Sequence, residues 1–126
     1  MKKVIAPTIS RSDMGILGMA NINPAKANIP VIIWSEHQGC LRNVNHNLPR
    51  IKLGKDDYSV VVTIEKHPKI ITKSRKLTRS EQKNIEKGIN YISRNYDIFL
   101  AHYNDTEFNF DDEDLFDALR ERGEYK

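Results

Sequence analysis

The sequence predicts an α+β fold in a single domain, with a four- to five-stranded, mainly antiparallel sheet packed by two C-terminal helices and an acidic amphipathic helix after them. Three observations carry this. Residues 51–64 alternate with a period of two around a turn, and the period changes to that of a helix after Thr78. A run of acidic residues from Asp111 then opens a last apolar stripe of Leu115, Phe116 and Leu119. The layout is an irregular N-terminal segment (1–28), a sheet (29–73), helices (78–104) and the acidic C-terminal helix (105–126).

In the first segment Gly15 and Gly18 interrupt scattered apolar residues, and Asn21-Ile22-Asn23-Pro24 reads as a turn. A short strand is expected near 14–19. Gly15-Ile16-Leu17-Gly18 lacks the Lys-Ser/Thr that a phosphate loop requires. Val31-Ile32-Ile33 within residues 30–36 reads as a central strand buried on both faces, and Trp34 as a cap on the core. Leu41–Val44 reads as a short return strand. The main hairpin follows. Ile51 and Leu53 face inward between Arg50 and Lys52, Gly54-Lys55-Asp56-Asp57 turns, and Tyr58, Val60, Val62 and Ile64 line one face. Pro49 belongs at the strand's start or on an edge. His67-Pro68 is a turn, and Ile70-Ile71 gives one more short strand.

Thr78-Arg79-Ser80-Glu81 is a capping box, followed by Ile85, Ile89 and Ile92 with Gly88 on the same side. Glycine there costs about 1 kcal/mol relative to alanine, so close approach to the sheet is its expected benefit. Asn95 ends this helix and caps a shorter one bearing Phe99, Leu100 and Tyr103. In the last segment Asp111 is the N-cap, Asp112, Glu113 and Asp114 occupy the first turn where the dipole favours anions, and Gly123 stops the helix.

At 126 residues the chain is one domain's worth, long enough for a core without staples. Its one cysteine, Cys40, excludes an internal disulfide and a multi-cysteine zinc site, and fits a reducing, cytoplasmic setting. No run of apolar residues is long enough to span a membrane, and the basic N-terminus lacks the apolar stretch of a signal peptide. The net charge of +3 hides an asymmetry: residues 1–104 carry 17 Lys+Arg against 8 Asp+Glu, and residues 105–126 carry 3 against 9.

The order His46-Asn47-Leu48-Pro49, a strand pair, a helix through Tyr91-Ile92, then Phe99-Leu100 and Tyr103 resembles a small uncharacterised bacterial domain family. That family carries a His-Asn-Pro-Pro-His-x-His motif before its strand pair. Over about residues 29–104 the motif's later histidines fall on Arg50 and Lys52, and its tryptophans on tyrosines. The resemblance implies a small accessory protein of bacterial or mobile-element loci, some of toxin–antitoxin type. It carries no histidine-based metal or general-acid role to this chain.

Two readings of function follow from the residues. The first is a non-enzymatic binding module for nucleic acid or an acidic partner, through Arg50, Lys52, Lys55, Lys66, Lys69, Lys73, Arg75, Lys76 and Arg79. The second is a protein-interaction or homodimerisation module using Phe108, Phe110, Leu115, Phe116 and Leu119, too much apolar surface to leave in water. A third reading, a ribonuclease-like toxin, would use His46 with Arg50 and Lys52 for acid–base work and phosphate stabilisation. His37, His46, His67 and His102 lack metal-ligand spacing, so neither a metal nor a cofactor is expected. One cysteine near one histidine, Cys40 and His46, does not make a nucleophile pair.

Overall fold

A computed structural model describes residues 19–37, 48–107 and 109–126. Within them five strands form one sheet: β1 (Met19–Ile22), β2 (Ile32–Glu36), β3 (Arg50–Lys55), β4 (Tyr58–Thr63) and β5 (Ile70–Lys73). Their spatial order is the chain order, and every neighbouring pair is antiparallel. The predicted hairpin is β3–β4, its strands running to Lys55 and from Tyr58, so the turn is only Asp56-Asp57. Gly54 is part of the strand, not the turn. Its φ is 154°, and a Cβ there would lie 2.3 Å from the Tyr58 carbonyl oxygen and 2.6 Å from the Ser59 Cα. Only glycine fits that backbone.

Ile33, Ile51, Leu53, Val60 and Val62 face one side and are buried. β2 alternates half-buried and buried residues, so it is not covered on both faces as its branched run suggested. The N-terminal segment is also more regular than expected. β1 extends through Asn21 and Ile22, and Asn23 is the N-cap of a helical turn, α1 (Pro24–Ala27), accepting from the amides of Ala25 and Lys26. The strand expected near 14–19 meets β1 only at Met19; its earlier part, the phosphate-loop candidate and the return strand at 41–44 lie outside the described residues.

Three further helices follow: α2 (Arg79–Arg94), α3 (Tyr96–Asn104) and α4 (Asp112–Glu121). The Thr78 hydroxyl accepts from the Glu81 amide and the Glu81 carboxylate accepts from the Thr78 amide, closing the capping box that starts α2. The stripe of α2 that enters the core is Ile85, Gly88, Tyr91 and Ile92; Ile89 packs at its border. A Cβ on Gly88 would lie 2.5 Å from Leu53 Cδ1 and 2.7 Å from Val31 Cγ2, so the missing side chain sets the helix-to-sheet distance. Asn95 lies between α2 and α3 without capping α3 through its side chain, which donates to the Tyr91 carbonyl instead.

The acidic helix folds back on its own chain. Leu115 and Leu119 are fully buried in the same core as the sheet. The Gly123 amide donates to the Arg120 carbonyl and the Glu124 amide to the Leu119 carbonyl, a Schellman stop. Beyond it the Tyr91 hydroxyl donates to the Glu124 carbonyl, Arg94 pairs with the Glu124 carboxylate, Arg122 with Asp97, and Tyr125 stacks on Phe116. The expected interface therefore needs correction. Leu115 and Leu119 serve this core, Phe110 and Phe116 pack partly against it, and Phe108 lies outside the described residues.

Gly88→Ala should destabilise the fold by about 1–3 kcal/mol in denaturant unfolding, because overpacking outweighs the helix-propensity gain of about 1 kcal/mol. Hydrogen bonds from the Arg75 guanidinium, then from the Thr78 amide, hold the Glu81 carboxyl down to about 2. A carboxyl lowered on folding adds stability that is present above its unfolded pKa and is lost as pH falls through its folded one. Carboxyl NMR titration should place Glu81 near 2, and Arg75→Ala should move it up toward the ordinary carboxylate range.

Candidate functional site

Strand pairing lines up Asn21, Trp34, Lys52, Val61 and Thr72 in one row across all five strands. Their inward neighbours are packed by helices, whereas in this row Trp34 is half-buried and Asn21, Lys52 and Thr72 are exposed. No described element covers this face. Trp34 is thus not a core cap: with Ile33 and Ser35 directed inward, the pleat turns it outward. The Lys52 ammonium lies 5.0 Å from the centre of the Trp34 ring, within cation–π range. Beside them is a shallow depression of about 300 Å³ lined by Trp34, Lys52, Lys55, Asp56, Asp57 and Ser59 among others. Burial pushes the Glu36 carboxyl up, and Lys52 opposes that rise.

The nine cations expected to bind an anion do not share one face. Arg50 and Lys52 alternate onto the outer face of β3, and Lys55 closes that strand at the depression. The Arg50 Nε is buried without a hydrogen-bond partner among the described residues. Lys66 and Lys69 are exposed on either side of His67-Pro68, and Lys73 ends the edge strand. Arg75 is engaged by Glu81 at 2.9 Å and Asp57 at 3.4 Å and lies over the Tyr58 ring. Lys76 and Arg79 are exposed before and at the start of α2. His46, the acid–base residue of the ribonuclease reading, lies outside the described residues, as does Cys40.

A second group of polar residues is buried at the carboxyl end of β2. Ser35 points inward from the strand, His37 follows it, His102 is in the last turn of α3, and Asp112 is the first residue of α4. His102 is enclosed completely, with Nδ1 2.8 Å from Ser35 Oγ and Nε2 2.8 Å from Asp112 Oδ1. A carboxylate only accepts, so Nε2 donates to Asp112; in the neutral ring Nδ1 then accepts from the serine hydroxyl. The His37 Nδ1 donates to the Asp105 carbonyl at 3.2 Å, and its Nε2 is 3.8 Å from the same Asp112 oxygen. The two rings are 4.1 Å apart, tilted by 43°. The Asp105 carboxylate accepts from the amides of Glu107, Asn109 and Phe110, fixing the loop that delivers Asp112.

Serine, histidine and aspartate in one chain of hydrogen bonds invite comparison with a nucleophilic triad. Ser35 is 1% exposed and His102 is 0% exposed, so no acyl substrate can reach the hydroxyl. Spacing kept His37 and His102 apart in the sequence, 65 residues from each other, and Asp112 already had a local explanation at a helix start. The available signal was that His102 lies on the buried stripe of α3, with Ile98, Phe99 and Tyr103.

Comparison with protein-family models, with curated proteins and with solved structures returns no match for this chain. No helix among the described residues is long and apolar enough to cross a membrane.

Asp105→Ala should cost about 1.5–3 kcal/mol in unfolding, the range for hydrogen bonds to a charged group. The backbone amide resonances of Asn109 and Phe110 should be the most displaced in the folded variant; unchanged resonances would count against this anchoring.

Proposed function

We propose that the chain is a nucleic-acid-binding module that uses the sheet face opposite the helices, which no described element covers. The observation that carries the reading is Trp34, partly exposed on the second of the five strands with the Lys52 ammonium 5.0 Å from its ring centre. An aromatic ring on an open sheet stacks a base whatever its identity, and a cation beside it meets the phosphate. Single-stranded nucleic acid suits this surface better than a duplex, because unstacked bases are available to an isolated ring. Lys55 at the rim of the depression supplies a second phosphate contact, while Asp56 and Asp57 restrict the path of an anionic backbone to the lysine side. Arg75 contributes little, since its guanidinium is already held by Glu81 and Asp57.

The homodimer alternative has lost its two best anchors to the chain's own core, Leu115 and Leu119. No observation favours it over the sheet face.

Trp34 is the only tryptophan, so its fluorescence reports this surface alone. A short single-stranded oligonucleotide should quench it saturably, and Trp34→Ala should weaken binding by about 1–3 kcal/mol. Each phosphate contact should contribute roughly 0.7 to the slope of log affinity against log salt, so Lys52→Ala should flatten that slope by about this amount. Binding insensitive to salt, or untouched by Trp34→Ala, would remove the reading.

A further inference from the structure

His37, His102 and Asp112 bring three potential ligand atoms within 4.8 Å of one another. We propose that these three side chains bind one divalent transition-metal ion. The inference is independent of the sheet-face reading and concerns the opposite side of β2.

The donor types come first. Two imidazoles and one carboxylate suit zinc, iron(II), cobalt or nickel and offer little to magnesium or calcium, which prefer all-oxygen ligands. The spacing comes next. Ligand atoms bound at roughly 2.0–2.2 Å around a tetrahedral ion stand about 3.4 Å apart. Here Asp112 Oδ1 is 2.8 Å from His102 Nε2 and 3.8 Å from His37 Nε2, one distance on either side of that value. All three ligand atoms lie within 4.8 Å of one another, so side-chain rotation alone has to close the set onto one ion.

The surroundings complete the pattern. Metal-ligating histidines are usually oriented by a partner on the other ring nitrogen. His37 has the Asp105 carbonyl on Nδ1 at 3.2 Å, with the Asp105 carboxylate at 3.6 Å; His102 has Ser35 Oγ on Nδ1 at 2.8 Å. A hydroxyl both donates and accepts, so Ser35 keeps its bond when His102 shifts its proton from Nε2 to Nδ1 and frees Nε2 for the ion. The ligands come from β2's end, α3 and α4, so the site exists only in the folded chain. Both imidazoles are enclosed, whereas the Asp112 side chain is 34% exposed, and the site opens to solvent on that side. Among the described residues the site offers three ligand atoms.

The test uses the full chain, stripped with a chelator and titrated by calorimetry with Zn²⁺ and separately with Co²⁺, whose visible bands report coordination. One equivalent should bind, the melting temperature should rise with free ion, and excess Mg²⁺ should not compete. Asp112→Asn keeps an acceptor for His102 and should weaken binding at least about 100-fold, as should His37→Gln; Ser35→Ala should weaken it about 10–100-fold. His67→Ala, at an exposed histidine elsewhere, should change nothing. Circular dichroism identifies the variants that fold, and either ligand variant suffices. Failure of the wild-type chain to bind one equivalent, or wild-type affinity in folded Asp112→Asn or His37→Gln, would overturn the proposal.

Discussion

The contact of Gly88 with Leu53 and Val31 governs the rest of the structure. A side chain at that position would collide with both, so α2 lies as close to the sheet as its backbone permits. The short separation lets Ile85 and Ile92 reach the inner face, and it buries Tyr91 completely. The Tyr91 hydroxyl then receives the returning chain through the Glu124 carbonyl, and Arg94, one turn on, holds the Glu124 carboxylate. These contacts dock the end of α4, while Leu115 and Leu119 dock its face. The first residue of α4 is Asp112, so the position of the buried polar group depends on how closely the helical layer approaches the strands.

What could be read in the sequence was local. The β3–β4 hairpin announced itself because its inner residues are buried and those between them are more exposed, which keeps a period of two on both strands. The capping box at Thr78 and the N-cap at Asp111 were legible because their partners lie within three residues. The end of β1 was read as a turn, with the strand expected to stop near residue 19, because four residues are too few to establish a period and because Asn23, the cap of α1, makes Asn21 and Ile22 look like part of the turn. Trp34 was assigned inward because the run Val31-Ile32-Ile33 hides the alternation that places it outside.

The candidate sites were legible to different degrees for the same reason. Lys52 and Lys55 were identified from charge alone, but what brings Lys52 to an aromatic ring is the β2–β3 register, which pairs it with Trp34 and which no local signal specifies. The buried group was harder. His37 precedes a loop, His102 occupies what reads as an apolar stripe, and Asp112 belongs to an N-terminal acidic turn. Each has an adequate local explanation, and only the docking of α3 and α4 against the end of β2 unites them.

The strand β2 divides two chemistries by its pleat. Trp34 and Glu36 face away from the helices; Ile33 and Ser35 face them, and His37 continues inward. Core packing accounts for Ile33. It does not by itself call for two imidazoles and a carboxylate a few ångströms further on, because buried polar side chains cost free energy to desolvate and apolar ones of similar volume would fill the space. Desolvating these groups is costly, and the hydrogen bonds from Ser35 and to Asp105 offset that cost without turning it into an advantage over leucine. Those same two contacts do have a specific effect on geometry. They fix the rings from behind so that both Nε2 atoms are turned toward one Asp112 oxygen, an arrangement that recognition of a small cation requires and that packing does not.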